Sequence, residues 1–442
     1  MFPRLAAAAV CAAALLVSVA GSKVTSAQDA GLREAADRND FDLGAAVTAD
    51  ALATDEALGR LLIANVNMLS SVSQFDMAVI QPQPGVFDFG QADALVDFAA
   101  EHDMTVRAHG LISRGGLPGW VVDGSWTPET LSEVLRTHVS EVVGRYAERN
   151  PGVVTQWDVV DEAFLPDGSR RPTIWQQVIG DDHLRLAFEA ARAADPDALL
   201  FYDDFYDDLA VAQDAVDVGA ALVPGATAER STCDAVAKCV GIEAAISGLL
   251  DEGVPIDGLG LQAHLLSPDP LDLSQFSAWI EQLGLRWAVT EFDVPVPATE
   301  VADDVALAFQ ATTYADALAA CVGASGCDTF VTWGITDRVP PTPEATGGAF
   351  AGGLWFDVDD SPKPAFDAMA GVLGETSTAP APASTTPETS TSGVADPPAT
   401  AAPPAPESDG SSTAPTVLVV AAVGLVAVVV VVALLRRRPR SS

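Results

Sequence analysis

Short apolar runs, several alternating with polar positions, recur along the chain between longer stretches with apolar residues three and four apart. The first pattern predicts strands and the second amphipathic helices. Strands are expected at 41–47, within 67–77, at 105–109, from Trp157, at 199–204, 258–264, 287–294 and 329–334. Helices are expected at 30–39, 57–65, 91–102, 131–149, 183–194, within 235–252, at 276–283 and 305–321. Strands and helices alternate eight times, which predicts an α/β fold, a closed parallel (β/α)8 TIM barrel rather than an open sheet.

Two of these strands end abruptly on carboxylates. One is Trp157-Asp158-Val159-Val160-Asp161-Glu162-Ala163 and the other Trp287-Ala288-Val289-Thr290-Glu291-Phe292-Asp293-Val294. Unpaired carboxylates are costly to desolvate, so they need a reason at the end of a buried strand. The C-terminal ends of barrel strands are where this architecture holds its chemistry. Glu162 and Glu291 therefore suggest the paired acid and nucleophile of a glycosidase. Trp157 and Trp287 begin their strands and read as core, whereas Trp333 closes one and reads as a stacking platform for a sugar ring. His264 follows the Gly258-Leu259-Gly260 pattern and reads as a site residue rather than a core histidine. Asp203-Asp204 with Asp207-Asp208 reads as a solvated acidic loop, because ligand spacing alone is weak evidence for a metal. No metal, nucleotide or flavin is expected.

The ends of the chain differ from its middle. Residues 1–27 read as a secretory signal, with Arg4 ahead of an apolar core and small residues before the cut. Cys11 falls inside that segment and has no lipobox around it. Residues 28–374 hold the catalytic barrel, and 375–415, rich in Thr, Ser, Pro and Ala, read as a disordered stalk. The continuous apolar run that follows places a transmembrane helix at 416–435, with the arginines of the 436–442 tail inside the cell. The expectation is an exported, single-pass membrane protein with its catalytic domain outside, acting as a monomer.

Charge narrows the partners. Twenty-three Lys and Arg against 61 Asp and Glu leave −38, and the only lysines are Lys23, Lys238 and Lys363. Such a surface repels nucleic acid. It suits a neutral polysaccharide, or high salt, where self-repulsion is screened; a bias of the genome toward Arg and Asp is the alternative. Cys233, Cys239, Cys321 and Cys327 remain after export, and an even number favours disulfides. Short local loops are favoured over the other pairings, with a zinc site as the alternative, although no histidine lies near either pair.

Several of these stretches together resemble glycoside hydrolase family 10, the retaining endo-1,4-β-xylanases. Trp157 to Ala163 is similar to the family's WDVVNEA motif, and Val289 to Val294 to its ITELDI strand. Gly258 to Leu265 resembles GIGxQxHL, Val331 to Asp337 resembles VTVWGVTD, and Pro362-Lys363-Pro364-Ala365-Phe366 resembles PKPAY. The resemblance implies Glu162 as general acid/base and Glu291 as nucleophile. It implies that His264 hydrogen-bonds Glu291, that Asp293 orients His264, and that His109, Gln262 and Trp333 line the subsite of the cleaved sugar. It also implies a Cys321–Cys327 disulfide.

The departures are specific. Where the family has TPENEMKW after the second strand, this chain runs Ser70 to Met77, with Val72, Ser73 and Asp76 in place of the sugar-binding Glu, Asn and Lys. A Trp and a second His after His109 are Ser113 and Arg114, and the sugar-binding Asn before the acid/base is Asp161. An ionised Asp161 only accepts hydrogen bonds and sits beside Glu162, so one of the two should keep its proton to higher pH. The expected substrate is β-1,4-linked xylan or a related polysaccharide. A β-glycoside with another glycone is the alternative, and a non-catalytic carbohydrate-binding surface protein is a third reading, against which the two glutamates argue.

Overall fold

A computed structural model describes residues 31–205, 236–265, 273–297, 304–340 and 350–376. The expected signal, membrane helix, basic tail, Asp207, Asp208 and Cys233 lie outside the described residues, as does the expected stalk beyond residue 376. Eight parallel strands form a closed barrel: β1 (Asp42–Val47), β2 (Met68–Ser71), β3 (Thr105–Ala108), β4 (Val154–Asp161), β5 (Leu199–Asp204), β6 (Gly258–Leu261), β7 (Arg286–Phe292) and β9 (Cys327–Thr332). β9 returns to pair with β1, with Asp42 opposite Thr329. The two-residue strands β8 (Val296–Pro297) and β10 (Phe350–Ala351) form a small antiparallel pair apart from the barrel.

The helices start where side chains can cap them. Thr127 and Thr130 form a reciprocal capping box at the head of the 22-residue helix Pro128–Arg149, whose first residue is proline. Thr48, Asp55 and Thr173 cap three shorter helices by accepting from the backbone N–H three residues on. The closing helix Pro364–Thr376 was not expected from the sequence and runs through residue 374. Ala365, Phe366, Met369 and Leu373 make its buried face. Helix Asp304–Gly323 is long and apolar enough to cross a membrane by composition, but it packs on β9 and on the closing helix.

Trp157 and Trp287 are fully buried outside the barrel wall, edge-on to Phe75 and Phe276 with centroids 5.4 and 5.5 Å away. Inside the barrel the packing is partly ionic. Arg107 on β3 is completely buried and grips both carboxylate oxygens of Asp158 as well as the side-chain oxygen of Gln156. Its guanidinium lies 4.3 Å from the centre of the Phe201 ring. Gln156 passes the network on to Thr329 at 2.7 Å and Asp42 at 3.2 Å. A charge at that depth is tolerable only with every donor committed. Cys321 and Cys327 form a disulfide that ties helix Asp304–Gly323 to the start of β9. Cys239 is buried and disulfide-bonded.

Candidate active site

β4 and β7 deliver the two glutamates to the same end of the barrel. Strand pairing sets the frame: Asp161 lies opposite Asp203, and His264 bridges to Asp293. The ladder slips between Asp158 and Val160 and again along β7, so the strand ends turn their side chains inward at the mouth. Glu162 and Ala263 hold left-handed backbones, with φ of 51° and 58°. Non-glycine residues adopt that region at a cost, and such strain gathers at functional sites. Gly260 leaves room for its neighbours, because a Cβ there would lie 1.9 Å from Asp203 Oδ1.

Around Glu291 the contacts are dense. His264 Nε2 lies 2.8 Å from Glu291 Oε2, and His264 Nδ1 lies 3.0 Å from Asp293 Oδ1. On the other side His109 Nε2 is 3.4 Å from Glu291 Oε1, while His109 Nδ1 is 3.2 Å from Asp158 Oδ2. Trp333 meets both imidazoles edge-on, with centroids 5.6 and 5.8 Å away. Burial depresses a histidine: alone it pushes His138 down to about 3, and as the largest cause it takes His183 down to about 4, and both are structural. Burial also opposes charge on His109 and His264. There Glu291 and Asp158 for the first, and Asp293 and Glu291 for the second, outweigh it and hold both well above the usual range.

Glu162 has a different surrounding. Gln262 Nε2 reaches Glu162 Oε1 at 3.3 Å, Asp161 Oδ1 at 3.0 Å and Asp203 Oδ2 at 3.4 Å. Arg114 ion-pairs with Glu162 Oε2, and the Arg171 guanidinium stands 3.9 Å from the same oxygen. Burial raises the proton affinity of Glu162 against the pull of Arg114. Burial and then the charge of Glu162 push Asp161 well above the ordinary carboxylate range. Of the two outcomes open for this pair, Asp161 holding its proton is the one the surroundings favour. A neutral Asp161 can donate to a sugar as an asparagine would.

The expectation of a solvated loop at Asp203-Asp204 is wrong. Both side chains are completely buried at the end of β5. Asp203 accepts from Thr290 Oγ1 at 2.8 Å, and Asp204 accepts from Lys238 Nζ at 2.6 Å and from the Tyr202 hydroxyl. An acidic pair on an acidic chain looks like surface until its partners, distant in sequence, fold onto it. Asp158, Asp203, Arg171, Tyr202 and Lys238 are site-shaping residues that the sequence reading missed. Only Asp158 left a signal, lying alternate to Gln156 on the same strand. His109, Asp161, Asp203 and Glu291 bring ligand-type atoms within 4.8 Å of one another. Asp158, Gln262, Thr290 and His264 already occupy those side chains, which argues for a protein-bonded cluster rather than a cation cage.

A family model described as "Glycosyl hydrolase family 10" matches residues 31–222 and 229–372. The chain belongs to glycosyl hydrolase family 10. Among curated relatives, Endo-1,4-beta-xylanase A of Humicola insolens is 33% identical over 65% of this chain and 69% of its own length. Endo-1,4-beta-xylanase 3 of Hypocrea jecorina is 30% identical over 73% of this chain and 81% of its own. Among solved structures, native xylanase 10B of Thermotoga maritima superposes with a TM-score of 0.68 at 29% identity, covering 78% of this chain and 99% of that one. Xylanase 10B of Thermotoga petrophila, solved with xylobiose, gives 0.68 at 29% identity over 79% and 99%. The family-10 chain is thus a glycoside hydrolase of endo-xylanase type.

Proposed function

We propose that this glycoside hydrolase cleaves β-1,4-linked xylan or a closely related polysaccharide by double displacement, with retention of configuration. The observation that carries the reading is the unequal treatment of the two oxygens of Glu291. Oε2 is held by His264 at 2.8 Å, whereas Oε1 is buried in the mouth and meets His109 Nε2 at 3.4 Å without an aligned hydrogen bond. Oε1 is the atom that attacks the anomeric carbon. Glu162, whose proton affinity is raised by burial, gives its proton to the departing glycosidic oxygen. Water then hydrolyses the glycosyl-enzyme with Glu162 acting as base. Asp293 fixes the His264 ring, Gln262 spaces Glu162 from Asp161, and Trp333 floors the subsite beside His109.

One observation favours a second reading, a β-glycoside with another glycone. Asp76, where the family has a lysine, lies against Gly116, and a Cβ on that glycine would come within 2.6 Å of its carboxylate. Burial pushes Asp76 up to about 6. A carboxyl group there offers a sugar different contacts from an ammonium. The test is hydrolysis of a glycan panel by a soluble fragment ending at Ala381, with product anomers followed by NMR. Xylan cleavage giving the retained anomer is expected. Cleavage of another β-glycan in place of xylan selects the second reading, and an inverted product removes the double displacement.

Export through residues 1–27, a stalk at 375–415, an anchor at 416–435 and action as a monomer complete the proposal. They rest on the apolar and Thr/Ser/Pro/Ala-rich patterns of the sequence. Deleting residues 417–442 should release active enzyme into the medium, because the apolar run that would hold it in a bilayer is removed. Activity left with the membrane fraction would end the anchor assignment.

A further inference from the structure

A chain of buried side chains beneath the acid/base takes no part in the chemistry above. Lys238, at the head of helix Ala237–Asp251, is 1% exposed and lies 3.3 Å from the centre of the Phe205 ring. Its ammonium donates to Asp204 Oδ1 at 2.6 Å. The other oxygen of Asp204 accepts from the Tyr202 hydroxyl, and that hydroxyl oxygen accepts from the Ala163 N–H at 3.1 Å. Ala163 follows Glu162, whose own N–H donates to Asp203 O at 3.0 Å and whose carbonyl accepts from Arg171 Nε at 2.9 Å. The left-handed turn that aims the acid/base is therefore pinned at three backbone groups.

The direction of each bond matters. A phenol has a single proton, and giving it to Asp204 leaves its lone pairs for Ala163. If Asp204 were itself protonated it could donate to Tyr202, and the phenol hydrogen would turn onto the Ala163 N–H. Lys238 opposes that, against the burial that raises the proton affinity of Asp204, through the ion pair on its far oxygen. A plain stabilising ion pair would need no particular bond direction and would not end on the peptide beside Glu162.

We propose that Lys238, Asp204 and Tyr202 form a positioning relay that fixes the turn carrying Glu162, so that its proton meets the leaving-group oxygen. The inference rests on the acid role assigned to Glu162. The test is steady-state kinetics of the full chain on phenyl and dinitrophenyl β-xylobiosides. The phenyl leaving group needs a proton and the dinitrophenyl group does not. Tyr202→Phe should lower kcat on the phenyl glycoside about tenfold with KM unchanged, and alter the dinitrophenyl glycoside by about twofold at most. Lys238→Met should show the same split. Adding Asp204→Asn to it should restore most of the loss, since an amide oxygen still accepts from Tyr202. Equal losses on both substrates, or none on either, would overturn the relay. Glu162→Ala is measured beside them. Loss of the split in that variant removes the acid assignment and the relay together; a split there but not in Tyr202→Phe removes the relay alone.

Discussion

The surroundings of Glu291 and of Glu162 are built on different principles. Glu291 is flanked by His264, Asp293 and His109, all from stretches that match the family patterns, and its contacts are imidazole against carboxylate. Glu162 is flanked by Asp161 and Arg114, both departures from those patterns, and its contacts are a guanidinium on one oxygen and, on the other, the Gln262 amide that it shares with Asp161. Asparagine and a protonated Asp161 are both neutral, so what the exchange adds beside Glu162 is the fixed positive charge of Arg114. What it alters is how tightly the acid holds its proton and which groups can donate to a sugar. A nucleophile needs a fixed position, and its frame is kept. An acid/base needs a tuned proton affinity, which more than one arrangement can supply.

The largest test of this contrast is removal of the nucleophile. Glu291→Ala should lower kcat on the order of 10⁴-fold or more, whatever the leaving group, and added azide should restore no product of retained configuration. Glu162→Ala should behave otherwise. It should lose about 10²–10⁴-fold on poor leaving groups, keep most activity on dinitrophenyl glycosides, and yield a retained glycosyl azide. Identical behaviour of the two variants, read from product anomers by NMR, would erase the distinction between the halves.

A smaller effect sharpens it further. The basic limb of kcat/KM against pH reports loss of the Glu162 proton from the free enzyme. Arg114 favours the carboxylate, so Arg114→Ala should raise the proton affinity and move that limb to higher pH by roughly half to one unit. Asp161 holds its proton while Glu162 titrates, so Asp161→Asn should move the limb little, and the double variant should follow Arg114→Ala. Superimposable limbs in all four proteins would mean that the exchanged pair does not act on the acid.

The barrel was legible because its strands are short and regular. The strand expected at 199–204 is β5 without change, and β4 only extends upstream from Trp157 to Val154. The closing helix was missed although Ala365, Phe366, Met369 and Leu373 have helical spacing; Pro362 and Pro364 stand at its head, and Gly371 and Gly374 weaken the helical signal of its last turns. The site divided in a similar way. Residues within a motif could be named from the sequence, whereas Arg107, Asp203 and Lys238 get their meaning from partners on other strands and helices. Arg107 reaches Asp158 across 51 positions and Thr290 reaches Asp203 across 87. Nothing local distinguishes such a residue from a solvated charge.

The ion pairs of Lys238 with Asp204 and of Lys363 with Asp337 have a practical side. These are the only lysines among the described residues, and they are 1% and 6% exposed. The described surface of the barrel therefore presents no accessible side-chain amine. Succinimidyl dyes, glutaraldehyde cross-linking and amine-activated resins have no lysine to grip there. Carbodiimide coupling through the abundant surface carboxylates is the route that would tether this enzyme or fix it to a support.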